Sequence, residues 1–87
     1  MNYVYRVTRG EIYMAMGEIQ KAISDFTYAL SLDGNIQEAY DNRAKCYRKL
    51  ADAEQDAEKK ADLISKAEAD EHKAEALKKE EKNEIQV

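Results

Sequence analysis

Across 87 residues this chain has no proline and three glycines. That scarcity of chain breakers constrains the fold more than any other feature. A sandwich or barrel of short strands needs frequent turns built from Gly, Pro and Asn-Gly pairs, and this chain cannot supply them. A single cysteine and the lack of a Gly-X-Y period exclude disulfide scaffolds and collagen-like folds. Fourteen basic residues stand against eighteen acidic ones, a net charge of −4, so a nucleic-acid backbone would be repelled overall and none is expected as a partner. No run approaches the ~18 apolar residues of a membrane span, and no membrane partner is expected. The start, Met1-Asn2-Tyr3-Val4-Tyr5-Arg6, lacks the basic patch and apolar segment of a secretory leader. The lone Cys46 fits a reducing compartment, so a cytoplasmic location is expected. A domain this short buries only about 60–65% of its unfolded surface. It therefore requires efficient helix packing, a partner or a second copy.

The chain divides into halves of different character. All seven aromatics (Tyr3, Tyr5, Tyr13, Phe26, Tyr28, Tyr40 and Tyr47) precede residue 48. After Leu50 the large aliphatics are Leu63, Ile64, Leu77, Ile85 and Val87. In the first half apolar and small positions recur at helical spacing. Tyr3, Val7, Gly10, Tyr13 and Met14 form one stripe, interrupted by Gly17; Ile19, Ala22, Ile23, Phe26, Ala29 and Leu30 form a second. Leu32-Asp33-Gly34-Asn35 reads as a stop, with Gly34 suited to a left-handed C-cap and Asp and Asn to side-chain turns. A third helix starts near Gln37 and carries Ala39, Tyr40, Ala44, Tyr47 and Leu50. A break is placed at about residues 53–56, with Asp52 or Asp56 as the next N-cap. Beyond it the residues favour one long helix whose narrow stripe is Ala57, Ala61, Ile64 and Ala67. Pairs at i,i+4 such as Asp56–Lys60, Asp62–Lys66 and Glu75–Lys79 favour a solvated helix rather than a packed one, and the tail Asn83–Val87 is expected to fray.

The first half also repeats itself. Arg43 lies 34 residues after Arg9, and the same shift sets Arg9-Gly10-x-x-Tyr13 on Arg43-Ala44-x-x-Tyr47. A small residue in the first helix of a hairpin lets the second approach closely, and an aromatic one turn later fills the space between hairpins. On these residues the chain resembles the tetratricopeptide repeat family. Gly10 and Tyr13 stand at that family's small and aromatic helix-A positions, Gly17 in its interhelix turn, and Ala22, Phe26 and Ala29 on its helix-B face. Gly34 stands where the family usually has proline, and Arg6 and Arg9 where it usually has a tryptophan-like aromatic and a leucine. In the second unit Tyr40, Ala44 and Tyr47 match, but helix B needs an insertion of about five residues, which puts Ala61 at the small position and Ser65 at the aromatic one. The resemblance implies an all-α fold of antiparallel helical hairpins, a fragment of an α-solenoid, with a long C-terminal helix that caps it. The units are residues 3–36, a degenerate 37–70, and a solvated extension over 71–87. Because such units stack on neighbours to bury their faces, two imply either a piece of a longer array or self-association. Tyr3, Val4, Tyr5 and Val7 form the apolar patch of a lone chain.

No catalytic constellation is visible. His72 has Glu68 one turn away but no third ligand for a metal. Cys46 has no nearby base and reads as a small buried hydrophobe. Thr8, Ser24, Thr27, Ser31 and Ser65 lack partner residues, and three isolated glycines cannot make a phosphate loop. No enzymatic activity, cofactor or metal is expected. Met14 and Met16 read as core filler or as an adaptable surface. The resemblance implies a concave groove lined by Val4, Val7, Glu11, Met14 and Ala15 of the first unit and Glu38, Asp41, Asn42, Lys45, Arg48 and Lys49 of the second. Asn42 matches an asparagine that chaperone-binding members use to hold a peptide's terminal carboxylate, but Val7 and Glu11 replace the clamp's other residues. Lys45, Arg48 and Lys49 form a basic strip suited to an acidic segment, unless they pair with Glu38, Asp41 and Asp52. The expected function is a non-catalytic protein–protein interaction module that holds a peptide or helix. The alternative is a homo-oligomerising structural element.

Overall fold

A computed structural model describes the backbone of residues 2–86 and the side chains of residues 2–80. Four helices follow one another: α1 Tyr3–Ala15, α2 Ile19–Leu32, α3 Gln37–Ala53 and α4 Ala57–Gln86. No strand occurs among the described residues. The chain is all-helical, as the shortage of breakers requires.

The helix ends follow from local chemistry. The Asn2 side chain accepts from Val4 N at 2.9 Å and caps α1. At the other end Gly17 has φ +80, Gly17 N donates to Met14 O and Glu18 N donates to Tyr13 O. These are the two bonds of a Schellman stop, which favours a glycine in the left-handed region. The sequence suggested that role for Gly34, but among the described residues Gly17 is the glycine with positive φ. The α2–α3 turn is instead held by side chains: Asp33 Oδ1 accepts from Asn35 N at 3.0 Å, and Tyr40 donates its hydroxyl to Gly34 O at 2.9 Å. Of the two candidate caps for α4, Asp56 serves. Its Oδ1 accepts from Glu58 N and Lys59 N at 2.9 and 3.1 Å, while Asp52 lies inside α3.

Helices α1 and α2 form hairpin 1, and α3 and α4 form hairpin 2; α2 and α3 pack between them, and α1 also touches α3. The core is Val7, Ala22, Phe26, Ala29, Ile36, Ala39 and Cys46, flanked by Tyr13, Met14, Ile19, Ile23 and Leu30. Phe26 is its largest fully buried side chain. A Cβ placed on Gly10 would lie 2.7 Å from Phe26 Cε1, so glycine is what lets α2 approach α1. Gly10→Ala gains about 1 kcal/mol of helix propensity but crowds a ring with no room to move, at about 1–3 kcal/mol. We expect the single variant to be less stable than the parent, and the same change in a Phe26→Leu background to be neutral or stabilising, as read by urea unfolding of the four proteins in the cycle. A Gly10→Ala chain more stable than the parent would show that the ring yields.

Hairpin 2 closes differently. Its buried seam is Ala44 and Ala51 on α3 against Ala67, Asp70 and Ala74 on α4. Ala57 and Ala61, expected on the stripe, are exposed. Over residues 71–80 the expected solvated extension is exposed on most sides but packs on α3 along one face: Ala74 is buried, Leu77 half-buried, and Glu71 and Lys78 pair with Arg48 and Asp41 of α3. Helix α4 continues to Gln86, and the side chains of 81–87, with the expected fraying, lie outside the described residues. The reason is register. Asp70 lies 45 residues after Asp25, whereas Arg43 lies 34 after Arg9, so the second unit carries 11 extra residues (45 − 34) rather than about five. Ala67, and not Ala61, is the counterpart of Ala22. Both interhelix turns are three residues long (16–18 and 54–56), so the extra length is entirely helical. Helix α3 runs four residues past Lys49, the counterpart of Ala15, and α4 starts seven before Ile64, the counterpart of Ile19.

Candidate functional site

The groove residues read from the sequence fall in different environments. Val7 is buried in the core, and Met14 is half-buried against it. Glu11 accepts from Asn42 Nδ2 at 3.2 Å, a bond that ties α1 to α3. Asp41 accepts from Gln37 Nε2 at 2.8 Å and lies 3.6 Å from Lys78 Nζ. Arg48 donates from Nε and Nη2 to the two carboxylate oxygens of Glu71, at 3.1 and 2.9 Å. The hydrogen bond from Arg48 holds the Glu71 carboxyl below its ordinary range. The basic strip on α3 is thereby reduced to Lys45 and Lys49, both exposed. Arg48 is neutralised across the hairpin by α4 rather than along its own helix.

One pairing occurs in both hairpins with the same geometry. Arg9 donates Nε to Asp25 Oδ2 and Nη2 to Asp25 Oδ1, each at 2.8 Å. Arg43 donates Nε to Asp70 Oδ2 and Nη2 to Asp70 Oδ1, each at 2.8 Å. Both aspartates are buried. Two parallel bonds to a planar carboxylate fix direction as well as distance, so each clamp sets the rotation of one helix against the next. Arg6 joins the first clamp at 3.3 Å and stacks over the Tyr28 ring, 4.0 Å from its centroid. The hydrogen bond from Arg9 is the main cause that lowers the Asp25 pKa. Arg43 extends the second clamp across the hairpin boundary by donating Nη1 to Thr27 Oγ1 at 3.1 Å.

With both registers fixed, the outer faces can be compared position by position. On α3 the row Ala39, Arg43, Cys46 and Leu50 faces hairpin 1; Ala39 and Cys46 are 0% exposed. The counterparts on α1 are Tyr5, Arg9, Ile12 and Met16, and here Tyr5 is 55%, Ile12 53% and Met16 66% exposed. The same positions are covered in one hairpin and open in the other. At the far end the comparison reverses. The α2 residues that share the core with Ala39 and Cys46 of α3 include Ile23, Phe26 and Leu30, and Thr27 accepts from Arg43. Their counterparts on α4 are Glu68, Glu71, His72 and Glu75, all exposed. One end of the stack is apolar, and the other is acidic. Of the patch expected from the sequence, Tyr3, Val4 and Tyr5 are exposed and Val7 is not; Ile12 was not singled out, and Met16, read as core filler or an adaptable surface, is exposed. The signal that finds them is the 34-residue shift itself: it sets Ile12 on the buried Cys46 and Met16 on the half-buried Leu50 of α3.

The remaining chemistry-bearing residues stay apart. Burial pushes the Cys46 thiol up to about 11, so it stays protonated near neutral pH. His72 is exposed on the acidic face of α4, and no group of three or more His, Cys, Asp or Glu able to hold a metal occurs among the described residues. The extra turns of hairpin 2 overhang an open cleft of about 650 Å³ lined by Gln20, Leu50, Ala53, Asp62 and Leu63 among others. No helix of the described residues is long and apolar enough to cross a membrane. Comparison with family models, curated proteins and solved structures gives no match.

Proposed function

We propose that this chain is a non-catalytic protein–protein interaction module, two stacked tetratricopeptide-like hairpins that receive a helical partner on the outer face of hairpin 1. The observation that carries this reading is the row Tyr5, Ile12 and Met16, exposed at positions whose counterparts Ala39 and Cys46 are wholly covered by a helix. Surface apolar residues scattered singly need no explanation, whereas three on one helix face, around an arginine already held by Asp25, favour an interaction site. The close Gly10–Phe26 approach and the repeated Arg–Asp clamp support the repeat-like reading. The trough along α1 and α3 is the weaker candidate, because Val7 is buried and Arg48 already holds a carboxylate.

The test uses the element that covers the equivalent row in hairpin 2. A peptide of the α2 sequence, Ile19–Leu32, fixed as a helix by a side-chain staple, is titrated into the isotope-labelled chain. Amide signals of Tyr5, Ile12 and Met16 are expected to shift in a saturable way, with those of Asp41, Glu71 and His72 unmoved. Shifts confined to Lys45 and Lys49 would move the docking surface to the trough. No shift up to about 1 mM peptide, where binding is worth only about 4 kcal/mol, would remove the reading.

A further inference from the structure

Resting on that reading, we propose that the occupant of the outer face of hairpin 1 is a second copy of this chain, bound face to face about a two-fold axis perpendicular to α1. The chain itself shows what covers this kind of face: the equivalent row on α3 is covered by α2, from the side that carries Ile23, Phe26, Thr27 and Leu30. That covering surface is already used within the chain. Its counterpart on α4 is Glu68, Glu71, His72 and Glu75. Head-to-tail stacking of copies would press Glu68 and Glu75, beside the Arg48-paired Glu71, against Tyr5, Ile12 and Met16, and a charge moved out of water without a partner is costly. The three most exposed large apolar side chains among the described residues, Met16, Tyr5 and Ile12, are those of the same row.

An interface of a face with itself is closed by two-fold symmetry and stops at two. The row suits it. Its spacing of four, three and four residues keeps Tyr5, Arg9, Ile12 and Met16 on one side of a helix. Antiparallel pairing about the midpoint sets Tyr5 of one copy against Met16 of the other, an aromatic–sulfur contact, and Arg9 against Ile12. Arg9 does not oppose the pairing as an unpaired cation would, because Asp25 and the Tyr5 hydroxyl hold its guanidinium within its own copy. The acidic end, meanwhile, keeps the pair from growing into a fibre.

The test is sedimentation equilibrium of the whole chain from about 10 µM to about 1 mM, with far-UV circular dichroism as the check on folding. The parent is expected to show a reversible monomer–dimer equilibrium with no larger species. Ile12→Asp and Met16→Lys, both at exposed positions, are each expected to weaken the dimer at least about 100-fold with unchanged helicity. Lys45→Glu/Lys49→Glu is expected to leave it intact. A strict monomer, growth past two, or a dimer indifferent to Ile12→Asp would overturn the proposal. A monomer that still binds the α2 peptide along Tyr5, Ile12 and Met16 would sink the second copy alone; a monomer that does not would sink the docking surface with it.

Discussion

Phe26→Ala is expected to remove a large share of the stability of the chain. Phe26 is the largest fully buried side chain, in a core otherwise made largely of alanines with two β-branched residues and Cys46. Truncating a buried phenylalanine costs about 3–5 kcal/mol in lost transfer energy and residual cavity. A domain of this size has a total stability of roughly 4–13 kcal/mol at 0.05–0.15 kcal/mol per residue, so one ring is a large share of it. Collapse of the site is hindered because Gly10 offers no side chain to fill the space. Thermal melts followed by circular dichroism should show a midpoint lowered by more than about 15 °C, since each kcal/mol moves a domain of this length by about 4–8 °C. Phe26→Leu should fall between the two. A Phe26→Ala chain within about 1 kcal/mol of the parent would mean that the ring is not what joins the hairpins.

Asp25→Asn and Asp70→Asn are expected to be the next most damaging changes. Each removes the charge from a buried acceptor and leaves guanidinium groups facing a neutral amide, and breaking a buried pair by changing one partner typically costs about 3–5 kcal/mol. Arg6 and Arg9 are partly exposed and can take up water, which discounts the loss at Asp25; Arg43 is the more enclosed, so Asp70→Asn should cost more. Asp25 also gives the acid limb its sign. The hydrogen bond from Arg9 lowers its pKa in the folded chain, so as pH falls through about 4, the ordinary aspartate value, the unfolded chain takes up the proton first. The contribution of Asp25 is therefore complete above about pH 4 and is lost as pH drops toward its lower folded value. Urea unfolding at stepped pH should show that decline in the parent and a shallower one in Asp25→Asn. An unchanged slope would mean that Asp25 does not titrate differently on folding.

Much of this architecture was readable from spacing. The stripes of α1 and α2, the break at 53–56 and the 34-residue shift all involve large or distinctive residues whose placement has few alternatives. The register of α4 was not, because Ala, Glu, Lys and Asp satisfy a helix in any rotation, and a stripe of alanines can be drawn through several of its faces. The discriminating signal was polar: Ala22-x-x-Asp25-x-x-x-Ala29 recurs as Ala67-x-x-Asp70-x-x-x-Ala74. An aspartate between two alanines of a buried stripe looks like an error in the pattern until its arginine, Arg9 or Arg43, is found on the preceding helix. The burial of Val7 and the pairing of Arg48 were hidden for a related reason. Val7 belongs to the same face as Gly10 and Met14, which turns inward, and Arg48 found its carboxylate 23 residues away, beyond the reach of any rule about neighbours on one helix.

The extra length of hairpin 2 has a consequence of its own. Four residues on α3 and seven on α4 are close to one and two full helical turns at 3.6 residues each. Added in such quanta, new sequence returns to the same azimuth, and the side chains on either side of it keep their bearings. Arg43 still meets Asp70 although the path between them is longer by eleven residues than that from Arg9 to Asp25. The hairpin works as a telescoping arm, whose reach past its neighbour changes in whole-turn steps with both locks left shut.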